Sequence, residues 1–204
     1  MNPFKTVELF EQAMAKYTGA PYTVAVDSCT NALFLCLKYH YDENDIKTIV
    51  LPKRTYLSVP MSVLHAGFKV QFSDISWQGI YQLYPLPVYD SAKRLTSGMY
   101  IEDSFMCLSF HIKKHLPIGK GGMILTSSKY AAKWFKMKRY EGRSEKPYHE
   151  DQIDELGWNM YMIPEQAARG LTLLQNYPKH NEDLTEEYRD LTTFNIFKDY
   201  EKDL

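Results

Sequence analysis

The sequence predicts an α/β fold: a three-layer α/β/α domain around a mostly parallel sheet of about six strands, with helices towards the C-terminus. Three observations predict it. Short apolar runs at Tyr22–Val26, Thr48–Leu51 and Lys69–Phe72 have the length of buried strands. Residues 30–39 and 56–65, which lie between those runs, carry helical spacing instead. Strands alternating with helices require crossover connections, which lay the strands parallel and cover both faces of the sheet.

The elements follow in order. Residues 3–17 form an amphipathic helix, with Val7, Phe10, Met14 and Tyr17 on one face, Pro3 near its start and Gly19 as its stop. The first strand, 22–26, leads into a helix at 30–39 with Leu33, Phe34 and Leu37 on one side. Pro52 ends the second strand, and Gly67 closes the helix at 56–65. After the third strand the pattern loosens. Ile80–Leu83 is a weak strand, Pro87–Tyr89 a stronger one ending at Asp90, and Cys107–Phe110 and Met123–Thr126 are short apolar strands. Between these last two lies a loop, 111–122, with Lys113, Lys114 and three glycines. Residues 130–140 read as a helix with a basic face. From Pro164 the chain reads as helical almost to its end, with a break at Pro178 and apolar faces from Leu171, Leu174, Tyr188 and Leu191. This organisation places an α/β domain at 1–163 and a C-terminal helical segment, packed on the same domain, at 164–204.

Composition narrows the function. The 204 residues suit one domain with a real core, and a net charge of −1 selects neither nucleic acid nor a membrane surface. Three widely spaced cysteines without a CxxC pair, the lack of a signal or transit pattern and the lack of a long apolar run point to a cytoplasmic protein. The basic stretch 133–143 reads as a solvated helix face rather than a nucleic-acid surface, since no second basic patch supports it. His111 and His115 follow a strand rather than sitting on a helix and have no evident third ligand, so no metal site is expected.

In open α/β sheets, ligands bind beyond the carboxyl ends of the strands. The polar residues there form a coherent set. Ser28, Cys29 and Thr30 open a helix whose first N–H groups can cradle a phosphate. Tyr56 can stack on a ring. Asp90 can hold a protonated pyridine nitrogen, making such a ring an electron sink. Lys114 can form an imine with an aldehyde, and Ser109 precedes it by five residues.

Read together, these segments resemble the DegT/DnrJ/EryC1/StrS family, aminotransferases of fold type I that use pyridoxal 5'-phosphate (PLP) on nucleotide-linked keto-sugars. Phe10-Glu11 with Tyr17-x-Gly19 resembles the family's opening, and Ser28-Cys29-Thr30-Asn31-Ala32-Leu33 its phosphate loop. Pro52 to Tyr56, Ala66-Gly67 with Phe72-Ser73-Asp74-Ile75, and Tyr89-Asp90-Ser91-Ala92 resemble further family segments in the same order. So do Ser109-Phe110 with Lys114, Gly121-Gly122-Met123-Ile124, and Gly157-x-Asn159 with the Gln166-Ala167-Ala168-x-Gly170 helix. The resemblance implies PLP held by Ser28, Cys29, Thr30, Tyr56, Asp90, Lys93, Ser109 and Lys114, with Lys114 and Asp90 catalytic. It also implies a homodimer, in which Asn159 reaches the phosphate of the neighbouring subunit. The substrates implied are an amino donor, glutamate by the family's habit, and a keto-sugar.

Some positions depart from the pattern. Cys29 stands where the family has glycine, and Lys93 where it has glutamine or histidine against the ring hydroxyl. Related sugar dehydratases have histidine at the place that Lys114 fills here. The stretch from Asp74 to Asp90 is too short for the family's extra strand-helix unit, and the chain ends where a small closing domain would begin. That last departure raises a second expectation: a PLP-fold protein without transaminase activity, acting as a binding or dimerisation partner.

Overall fold

In a computed structural model, residues 4–41 and 45–201 are described. Among the described residues are seven strands and six α-helices; helix and strand alternate as anticipated as far as residue 73, after which four strands follow in succession, with boundaries shifted by a residue or two in most cases. Helix α1 spans Lys5–Thr18 and ends at Gly19, whose φ of 81° is a left-handed cap that glycine adopts without strain. Strand β1 (Tyr22–Val26) leads into α2 (Cys29–Tyr41), then β2 (Thr48–Pro52), α3 (Ser58–Ala66) and β3 (Lys69–Ser73). Strands β4 (Tyr81–Gln82), β5 (Val88–Asp90), β6 (Phe105–Ser109) and β7 (Gly122–Thr126) follow, then α4 (Lys129–Lys138), α5 (Pro164–Leu174) and α6 (Asn195–Glu201).

The expectation of a mostly parallel, six-stranded sheet is corrected. The main sheet has five strands in the order β1-β7-β6-β5-β4; β1, β6 and β5 run one way and β7 and β4 the other, so β5–β6 is its one parallel neighbour pair among the described residues. The parallel β2–β3 pair forms its own ladder, linked to the rest through Val50 N–H donating to Tyr84 O at 2.8 Å. Alternation of strand and helix fixes which elements cross over. It does not fix where a late strand inserts, and β7 returns from the 110–121 loop to separate β1 from β6 in antiparallel sense.

Both faces of the sheet are covered. Val24, Val26, Phe105, Cys107 and Ile124 pack with α2, α3 and α4 on one face. Ala25, Met106, Leu108, Met123 and Leu125 pack on the other with Val7, Phe10 and Met14 of α1 and Ala167 of α5. The period-two alternation of β1, β6 and β7 thus feeds two apolar layers. Gly170 of α5 lies so close to Phe10 that a Cβ there would meet the ring at 2.6 Å, which is why this helix pair needs glycine.

One buried polar network ties the layers. Glu11 of α1 (4% exposed) pairs with Arg139 after α4 (2% exposed) and with Lys136 at 2.9 Å, and it accepts Ala25 N–H of β1 at 2.9 Å. Burial pushes the Glu11 carboxyl up, but Arg139 and Lys136 outweigh it and hold the group below its usual range. The basic stretch 133–143 is thereby largely accounted for, since Lys138 pairs with Glu155 at 2.8 Å and Arg143 sits over Tyr140.

The C-terminal region departs from the helical expectation. Helix α5 stops at Leu174, and residues 178–190 form an extended strap with no α-helix. Its bonds go to the body instead: Asn181 Nδ2 donates to Leu95 O at 2.9 Å, and Ser97 N–H donates to Lys179 O at 2.8 Å.

Candidate functional site

The carboxyl ends of β5 and β6 and the N-termini of α2 and α3 surround one cavity of about 390 Å³. Of the nine residues expected at the site, eight line it: Ser28, Cys29, Thr30, Tyr56, Asp90, Lys93, Ser109 and Lys114. Asn159 does not. It is exposed, paired with Tyr140 through an isolated bridge, and its Nδ2 donates to Glu141 Oε1 at 2.6 Å.

The α2 end of the cavity is built from small residues. Ser28 Oγ caps the helix by accepting Asn31 N–H at 3.2 Å, and Thr30 Oγ1 meets Ser58 Oγ at 2.9 Å. Asn31 N–H and Ala32 N–H are taken by Ser28, and the N–H groups of Cys29 and Thr30, at the start of α2, have no partner within the helix, the condition under which a helix end takes an anion. Cys29 is the first residue of α2 and is not in the left-handed region, so this position makes no demand for glycine. Its Sγ lies 3.5 Å from Cys107 O, and burial pushes the thiol well up, which makes it a packing group rather than a nucleophile. A glycine is needed one strand away. A Cβ on Gly122 would meet the Ser28–Cys29 peptide at 2.4 Å, so β7 must be bare for the loop to lie against it.

Asp90 forms the opposite wall. It ends β5 and is 6% exposed. Oδ2 accepts from the Tyr81 hydroxyl at 2.9 Å, Oδ1 from Ala92 N–H at 2.9 Å, and Tyr81 in turn meets Thr55 Oγ1 at 2.6 Å. Burial raises the carboxyl above its ordinary range despite these bonds and despite Lys114 and Lys93 nearby. A buried carboxylate in this condition is matched by a cationic nitrogen placed against it.

Lys114 enters from the 110–121 loop, where a turn joins its N–H to His111 O at 2.8 Å. It is half-buried, whereas Lys113, which also borders the cavity, is exposed. An amine, a carboxylate and a hydroxyl-lined helix N-terminus thus border one space large enough for a phosphorylated pyridine ring. The donor set fits pyridoxal phosphate. Among the described residues, no group of three or more His, Cys, Asp or Glu side chains could hold a metal ion. His115 instead bonds to Glu182 O at 2.8 Å.

Sequence reasoning missed Tyr81, Trp77, Glu186 and Tyr188, all in or against this wall. Tyr81 sits in a two-residue strand with little signal. Glu186 and Tyr188 lie almost a hundred residues beyond Asp90, on a strap that local pattern reads as helix.

Residues 1–86 and 97–194 match the sequence profile of the DegT/DnrJ/EryC1/StrS aminotransferase family. The unmatched stretch, 87–96, contains Asp90 and Lys93. The chain is 24% identical to the spore coat polysaccharide biosynthesis protein SpsC of Bacillus subtilis, over 90% of this chain and 60% of that protein. It is 22% identical to a UDP-4-amino-4,6-dideoxy-N-acetyl-beta-L-altrosamine transaminase of Campylobacter jejuni, with the same coverage. It therefore spans about 60% of the length of the curated relatives it matches. Among solved structures it resembles Helicobacter pylori PseC, an aminotransferase of pseudoaminic acid biosynthesis, with a TM-score of 0.70 and 19% identity over 85% of this chain and 58% of that one. It also resembles the sugar aminotransferase CalS13 of Micromonospora echinospora, with a TM-score of 0.72 and 15% identity over 85% of this chain and 61% of that one. On the profile match, with the fold agreeing, the chain belongs to the DegT/DnrJ/EryC1/StrS aminotransferase family.

Proposed function

We propose that the protein is a PLP-dependent aminotransferase that moves an amino group from an amino acid, glutamate first among them, to a nucleotide-linked keto-sugar. The observation that carries this reading is the buried Asp90 carboxylate bordering the same cavity as the Lys114 amine. When bound, PLP supplies an aldehyde that condenses with amines and a ring that takes up electron density.

The chain's own residues have distinct tasks. The α2 N-terminus, with Ser28, Thr30 and Ser109, binds the phosphate. Cys29 packs beneath it, and Tyr56, at the mouth, covers the ring face. Asp90, oriented by Tyr81 and Ala92 N–H, holds a proton on the ring nitrogen by charge. Lys93, in the cavity wall, would meet the ring hydroxyl. Lys114 Nζ would hold the cofactor and, once displaced by the amino donor, would carry a proton between the donor's amine-bearing carbon and the cofactor. Residues 1–163 are the cofactor domain, and 164–204 belong to the same unit. In a homodimer the exposed Asn159 reaches the neighbouring phosphate. A cytoplasmic setting suits these substrates, and no helix among the described residues is long and apolar enough to cross a membrane.

Mixing PLP-loaded protein with glutamate in a single turnover tests the reading. The expected result is one 2-oxoglutarate per site, with loss of the visible cofactor band. PLP bound without any 2-oxoglutarate from glutamate or other amino acids would refute transamination.

A further inference from the structure

Lys93 is 4% exposed along its side chain, and a buried ammonium is costly unless it is paired. Its partners come from the C-terminal strap. Nζ lies 3.3 Å from Glu186 Oε2 and 4.6 Å from the centroid of the Tyr188 ring. The Tyr188 hydroxyl donates to the same Glu186 oxygen at 3.0 Å, closing a triangle of ammonium, carboxylate and phenol. The strap is pinned on both sides of this triangle. Leu184 N–H donates to Lys93 O at 2.9 Å, and the neighbouring Arg94 grips Asp183 by two bonds of 2.8 and 2.6 Å. Beyond Tyr188, Leu191 N–H donates to Lys53 O at 2.8 Å, and Asp190 lies 3.6 Å from Lys53 and 3.7 Å from Arg54.

A lysine ammonium is a point charge on a flexible stem, and left alone it samples many positions. Here the stem is buried, its backbone is tied to the strap, and its head lies between a carboxylate and a ring. Glu186 and Tyr188 also border the cavity, with Trp77 nearly parallel to Tyr188 at 6.0 Å and 19°. We propose that Glu186 and Tyr188 are positioning residues that hold the Lys93 ammonium in the cavity wall. They make the C-terminal strap part of the binding site. The inference rests on the reading above only for what the ammonium faces when the site is filled.

Two readouts test it. In the apoprotein, the rate of reductive methylation of Lys93 is measured by mass spectrometry. Lys93 is protected in the wild type. Glu186→Gln or Tyr188→Leu raises its rate about tenfold, the ratio implied by one lost charge-assisted bond. Tyr188→Phe, which keeps the ring, raises it less. Equal rates in wild type and both disruptive variants overturn the proposal, whether or not the protein binds PLP.

In PLP-loaded protein, the pH midpoint of the visible band is followed. The charged groups acting on Lys93 are Glu186, Lys114 and Asp90; Tyr56 acts on its neighbour Tyr188, and Arg54, Asp74 and Glu187 border the outer side of the same wall. Removing the Glu186 charge leaves the site more positive, so the midpoint falls by about half a unit. In a Lys93→Gln background, Glu186→Gln produces a smaller shift, because only its direct charge effect on Lys114 remains. An equal shift in both backgrounds overturns the positioning role. Failure of PLP to bind would refute the cofactor reading and leave the methylation result to decide this one.

Discussion

Two buried carboxylates respond to the same condition in opposite ways. Glu11 is 4% exposed and its carboxyl is held below the usual range, while Asp90 is 6% exposed and its carboxyl is raised. Burial opposes ionisation in both. The difference lies in the partners. Glu11 has a guanidinium, an ammonium and a backbone N–H from its own chain. Asp90 has a phenol and one N–H, with its lysine neighbours acting only as weaker charges across the cavity. A carboxylate completed by its own fold is a structural tie. One left short of a cation at a strand end is suited to receive one from a ligand.

This contrast can be broken in four ways. The largest effect is on turnover. If the proposed function holds, Asp90→Asn removes the charge proposed to keep the ring nitrogen protonated and lowers kcat roughly a thousandfold. The same variant raises the thermal midpoint of the apoprotein, because an ionised buried group has been replaced by a neutral one. A lower midpoint would show that Asp90 is structural after all. Next, Glu11→Gln leaves Arg139 buried without its anion and costs about 3 kcal/mol in urea unfolding, with cofactor affinity unchanged. Third, Tyr81→Phe removes one bond to the Asp90 carboxylate and weakens PLP binding about tenfold in a fluorescence titration, with little loss of stability.

The smallest effect is in the pH dependence. The folded pKa of Glu11 is depressed, so its stabilisation is present above the unfolded value and is lost as pH falls through the folded one. The folded pKa of Asp90 is raised, so its destabilisation is present at neutral pH and fades as the group becomes protonated on acidification. Comparing each neutral variant with wild type across the acid range, the loss in Glu11→Gln and the gain in Asp90→Asn both shrink. Urea midpoints taken at successive pH values check this, and a gap that stays constant with pH contradicts it.

Local elements were legible because local rules set them. Gly19 and Gly67 mark helix ends through left-handed φ, and the strand runs around Val24, Cys107 and Ile124 are short and apolar. The site was legible for a related reason: loops after strands collect at one edge, so Asp90 and Lys114 could be paired without knowing the sheet order. The order itself was not legible, because the insertion of β7 between β1 and β6 depends on a long loop without periodic signal. The strap failed for a different reason. Leu184, Tyr188 and Leu191 have helical spacing, yet Leu191 is buried beside Lys53 while Tyr188 covers Lys93. Tertiary contacts overrode a pattern that alone reads as helix. Glu186 was invisible because only the fold brings it to Lys93.

The account stands or falls on whether the cavity between Asp90 and α2 takes PLP through Lys114. The direct measurement is the visible spectrum of the protein with added PLP, followed by borohydride reduction and peptide mapping, for wild type and Lys114→Ala. The account predicts a new band in the wild type, a covalent adduct on Lys114 and neither in the variant. No band in the wild type, or an adduct on the exposed Lys113 in its place, would contradict it.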